Sequence, residues 1–111
     1  MNSTENRRWA LHFVGIAHML LGNYETAVAT FRERIRLVPD TDLSRAMLAA
    51  ALGQLGETAE AKKVWEELMQ INPAYSFDIH LARLPFRDPD NAKRIAEGLA
   101  KAGLSTPAKS A

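Results

Sequence analysis

One offset constrains this chain more than any other feature. The stretch LGNYETAVATFRERIRLVP, residues 21–39, recurs 34 residues later as LGETAEAKKVWEELMQINP, residues 55–73. Gly22 maps to Gly56, Ala27 to Ala61, Phe31 to Trp65 and Pro39 to Pro73. A fixed period of this length, with small, aromatic and proline positions in phase, predicts stacked helical hairpins.

The first helix is expected over about residues 5–21, capped by Ser3 or Thr4 and stopped by Gly22. It carries two apolar stripes: Trp9, Phe13, Ile16 and Leu20 on one side, and Leu11, Val14, His18 and Leu21 on the other. A helix apolar on two faces expects neighbours on both. The second helix, about 24–38, presents Ala27, Phe31, Ile35 and Val38 to its partner, with Gly15 allowing close approach. Arg32, Glu33, Arg34 and Arg36 read as mostly solvated surface. Pro39 ends the hairpin, since it cannot continue a helical ladder. Asp40, Thr41 and Asp42 offer caps for a third helix, about 41–54. Its Leu43, Met47 and Ala50 are the images of Trp9, Phe13 and Ile16, and Ala49 takes the place of Gly15. A fourth helix, about 57–71, sets Ala61, Trp65, Leu68 and Ile71 inward.

After Asn72-Pro73 the repeat weakens. Ser76 can cap a fifth helix, SFDIHLARL, with Phe77, Leu81 and Leu84 in phase with the inner face. Pro85 interrupts it early. Asp88-Pro89 then reads as a cap and first helical position. The last helix, about 89–102, has Ala92, Ile95, Ala96 and Leu99 on one stripe and charge on the other, and Gly103 stops it. One apolar stripe and one polar face suit the end of a solenoid. The tail 105–111 is expected to be disordered.

These residues resemble the tetratricopeptide (TPR) repeat family. The resemblance implies an all-α fold: a right-handed superhelix of antiparallel helix pairs, with two full repeats, a partial third and a capping helix. The divisions are a flexible 1–7, repeats at 8–41 and 42–75, a degenerate third repeat with the cap at 76–104, and the tail 105–111. Arg34 departs from the family pattern, which usually has a small residue there. A second likeness lies at the C-terminus. LPFRDP, 84–89, and EGLAKAGL, 97–104, are similar to the segment that ends bacterial class III adenylate or guanylate cyclases carrying TPR arrays. That likeness implies cyclase activity for a longer parent protein, not for this chain.

Composition narrows the function classes. The absence of cysteine among 111 residues excludes disulfides, thiol catalysis and cysteine-based zinc sites. A net charge of +1 gives no argument for nucleic acid or an anionic membrane. No apolar run approaches the roughly 20 residues that span a bilayer, and a cytoplasmic location is expected. His12 and His18 are about 120 degrees apart on a helix and share no ligand face. His18 reads as a partly buried packing residue, His12 as an ordinary surface histidine beside the groove, and His80 lacks a ligand at useful spacing. Glu66-Glu67 diverge on their helix and cannot act as an acid/base pair. No catalytic constellation, metal site or cofactor is expected.

The groove-facing set on the first helices is Trp9, His12, Phe13, Ile16 and Leu20, then Leu43, Met47, Ala50 and Gln54, with Phe77 beyond. It is largely apolar and lacks the Lys, Arg and Asn clamp by which some TPR grooves hold a carboxylate. Such a groove favours an amphipathic helix or apolar segment from a protein partner. The alternative is a homodimer built on the apolar face of the first helix.

Overall fold

The computed structural model describes residues 3–83 and 89–104. Residues 1, 2, 84–88 and 105–111, and the side chains of Ser3, Thr4, Glu5, Leu81, Ala82 and Pro89, lie outside that description. With them go the expected first cap, the break at Pro85, the Asp88 cap, and the tail. The described residues form six α-helices and no strand. They are α1 (Ser3–Leu20), α2 (Tyr24–Leu37), α3 (Asp42–Gln54), α4 (Thr58–Ile71), α5 (Phe77–Arg83) and α6 (Pro89–Lys101).

The period seen in the sequence is repeated by the backbone. Gly22 and Gly56 have φ of 80° and 79°, the left-handed conformation that costs glycine nothing. Around each, the same pair of hydrogen bonds closes the helix. Gly22 N donates to Met19 O and Asn23 N to His18 O; 34 residues on, Gly56 N donates to Gly53 O and Glu57 N to Leu52 O. This is the Schellman arrangement, which satisfies carbonyls that a helix end leaves orphaned. The residues entering α2 and α4 also agree: Asn23 at φ −88°, ψ 67° and Glu57 at φ −86°, ψ 66°.

α1 and α2 run antiparallel. Their contacts recede on α1 as they advance on α2, with Gly15 and His12 meeting Phe31 and Trp9 meeting Arg34. A Cβ on Gly15 would strike the Phe31 ring, so the glycine sets the hairpin's closeness. α3 and α4 pair likewise, and α2 packs along α3. The shared core takes Ala27 and Phe31 from the first hairpin and Met47, Ala61 and Leu68 from the second. Thr41 caps α3 by accepting from Ser44 N at 3.3 Å. Arg45 straps the turn between hairpins: its guanidinium donates to Pro39 O at 2.7 Å, Thr41 O at 3.0 Å and Glu67 Oε1 at 3.2 Å.

Three expectations need correction. Arg34 is buried rather than solvated. Its guanidinium lies 4.7 Å from the Trp9 ring centroid, where a cation meets the negative face of the π-system. Ile71 is exposed, and Val64 takes the inward place on α4. The outer stripe of α1 is largely bare, with Val14 and Leu21 in solvent.

Candidate functional site

The expected groove is not open along its length, because α6 lies in part of it. Ile95 and Leu99 of α6, with Ala102 just past its end, are buried, and α6 packs on α3. The two helices touch backbone to backbone. A Cβ on Gly98 would overlap the Ala50 carbonyl, and one on Gly53 would overlap the Gly98 carbonyl. Polar contacts fix the register: Gln54 Nε2 donates to Arg94 O at 2.9 Å, and Lys101 Nζ donates to Gln54 Oε1 at 2.8 Å. Arg94 then reaches α1, donating to Leu20 O at 2.8 Å. Ala50, Gln54 and Leu20, all expected to face a partner, are engaged by the chain's own last helix. Ile16, Met47 and Phe77 are buried in the core.

The other end stays open. Trp9 and Phe13 are stacked at 6.3 Å and are 51% and 55% exposed. They stand at the rim of a cleft of about 410 Å³ whose far wall includes Tyr75, Ile79 and His80, with Leu43 between. Ile79 is also exposed. The structure thus divides the expected groove: of its apolar residues, Trp9, Phe13 and Leu43 line the open cleft, joined there by Ile79.

His12 lines this cleft yet is buried, contrary to its reading as a surface histidine. Its Nδ1 is 2.8 Å from Ser44 Oγ, and its ring stands edge-on to Phe13 and Phe31. Burial pushes its pKa down to about 4, with the positive charges of Arg34 and His80 adding in the same direction. His12 is therefore neutral at pH 7. The His12–Ser44 pair could suggest a nucleophile and base, but Ser44 is fully buried and no substrate carbon can approach it.

Across the cleft, His80 Nδ1 is 2.6 Å from the Tyr75 hydroxyl. Burial lowers the His80 pKa, the Asp42 carboxylate opposes the shift, and Arg83 adds to it. Burial, with Asp42, raises the Tyr75 hydroxyl's pKa, so it stays protonated and can hydrogen-bond His80. Asn72 Nδ2 donates to Asp42 Oδ2 at 2.9 Å, tying the α4–α5 turn to the start of α3. These polar pairs satisfy one another, while the rim rings Trp9 and Phe13 keep half of their surface in water. Arg34 is less well served. Its Nε and that of neighbouring Arg8 are buried without a hydrogen-bond partner, and burial followed by the Arg8 charge lowers its pKa. Among the described residues no group of three His, Cys, Asp or Glu could hold a metal ion. No helix among them is long and apolar enough to cross a membrane.

Sequence reasoning passed over Gly53 and Gly98. The available signal was a glycine inside each of two helical patterns, which costs stability unless a close approach requires it.

No protein-family model matches the chain, and no solved structure matches it. Among curated proteins it is similar to "Putative adenylate cyclase 3" of Rhizobium meliloti (strain 1021), with 46% identity over 46 residues. The match covers 40% of this chain and 8% of that protein, so the chain spans less than a tenth of its curated relative's length.

Proposed function

We propose that this chain is a TPR-type repeat segment that binds an apolar or amphipathic protein segment at the open end of its inner face. The observation that carries this reading is the stacked Trp9–Phe13 pair, more than half exposed above a cleft that Ile79 also borders. Large apolar side chains grouped at a concavity are costly in water and suit a helix-in-groove contact. The TPR assignment is supported by the 34-residue repetition of glycine caps and hairpin contacts. The partial likeness to the protein named "Putative adenylate cyclase 3" supports placement in a bacterial signalling protein, of which we read this chain as a non-catalytic part.

Display selection against the chain with a library of helical peptides tests the binding reading. Enriched sequences should carry apolar residues at i, i+3/i+4 and i+7, and Phe13→Asp should weaken them by about tenfold or more, roughly 1.4 kcal/mol. Equal enrichment against Phe13→Asp would remove the reading. The exposed aromatic pair also favours a second one, a homodimer through α1. A dimer in sedimentation velocity that Phe13→Asp dissociates would select it.

A further inference from the structure

Because the hairpins repeat at 34 residues, each face of α1 has an image on α3. The images of Leu11, Val14, His18 and Leu21 are Arg45, Leu48, Leu52 and Leu55. On α3 this face is covered along most of its length: Leu48 and Leu52 are 2% and 3% exposed, α2 packs along it, and Leu55 just past the helix end is 39% exposed against 72% for its image Leu21. Val28 of α2 borders Leu52 and Leu55, and Ile35, two helical turns later on the same stripe, packs on the same core. On α1 the face is more open, with Val14 45% and Leu21 72% exposed and Leu11 and His18 half-buried. A helix that ends a solenoid needs a polar outer face. α1 presents an apolar one.

We propose that the outer face of α1 is a stacking surface for the second helix of a further hairpin of this type, supplied by a longer protein ahead of residue 1. The inference rests on the repeat reading above. The occupant's chemistry follows from α2, which covers the equivalent face with Val28 and Ile35 seven residues apart. A second copy stacked head to tail fits poorly. Its α4 would present Lys62, the image of Val28, and would set that lysine against Leu21.

The test inserts a copy of residues 8–41 ahead of residue 8 of the full chain, keeping the 34-residue period. Against a flexible insert of equal length, the melting temperature should rise by about 5 °C or more. Exchange of the original α1 amides should slow by about tenfold or more. Val14→Glu with Leu21→Glu in the original repeat should abolish both gains. In the unextended chain, where both side chains are already exposed, the pair should shift melting by under about 2 °C. No gain, or a gain that survives the double substitution, overturns the proposal. So does an unextended dimer that the double substitution dissociates, since a second copy would then own the face. Phe13→Asp lies on the inner face and should leave the stacking gain intact, so failure of peptide binding and failure of stacking are read separately.

Discussion

At the Gln54 end of the inner face, Gly98 lies over Ala50 and two backbones touch. At the Trp9 end, one to two helical turns from the buried Ile16, two aromatic rings face water. Both ends belong to first helices of hairpins with matching backbones. Their difference comes from side-chain size. Ala50 and Gly53 give α3 a flat strip that a helix can reach at backbone distance. The bulk of Trp9 and Phe13 denies that approach on α1 and leaves rings for a looser partner to cover. Small residues close a groove from within, and large ones keep it available.

The sharpest way to break this comparison is to open the closed end. Gly98→Leu places a side chain where the Ala50 carbonyl stands, and should destabilise the chain by about 3 kcal/mol or more in urea melts. If stability held, α6 would not be bound through that contact.

Acid should act on the open end. His12 folds with its pKa lowered from 6.5 to about 4, so the unfolded chain binds a proton that the folded chain refuses. Stability is full above pH 6.5 and declines as pH falls toward about 4, by up to about 3 kcal/mol. His80 is lowered as well and adds loss of the same sign. Denaturant melts across that window should show the slope, and His12→Gln should flatten it.

Arg34→Leu copies Leu68, the fully buried image of Arg34 in the second hairpin. It removes a buried cation with an unpartnered Nε and should raise stability by about 1 kcal/mol, despite losing the contact with Trp9. A loss instead would show that the cation–π contact outweighs burial of the charge. The smallest effect is expected at the rim: Phe13→Asp should change stability by less than about 0.5 kcal/mol. A large loss there would mean that the ring's contacts with Trp9 and His12 already hold the fold.

The repeat was legible because its markers are local. Gly22, Gly56 and Gly103 each close a helix where the sequence placed them, and the helix bounds follow to within about two residues. The core positions Ala27, Phe31, Ala61 and Leu68 are set by the same period. The site was less legible, because an apolar stripe announces that a face will be covered without naming the cover. Ala92, Ile95, Ala96 and Leu99 pointed to a cap, but nothing local to them specifies α3. That destination depends on Gly53 and Gly98, two absences of a side chain that matter only when they meet. Arg34 and His12 misled for a related reason. Glu33 and Arg36 on α2 and the exposed Phe13 on α1 gave no local sign of burial, which is imposed from other helices by Trp9 and Ser44.

The reach of Arg94 to the Leu20 carbonyl has a mechanical meaning. Helical arrays bend by small changes in the angle between successive hairpins. Here one helix lies against α3 while gripping the end of α1, so flexing between the two hairpins would have to pull that hydrogen bond apart. The hydrogen bond thus couples the two hairpins through α6.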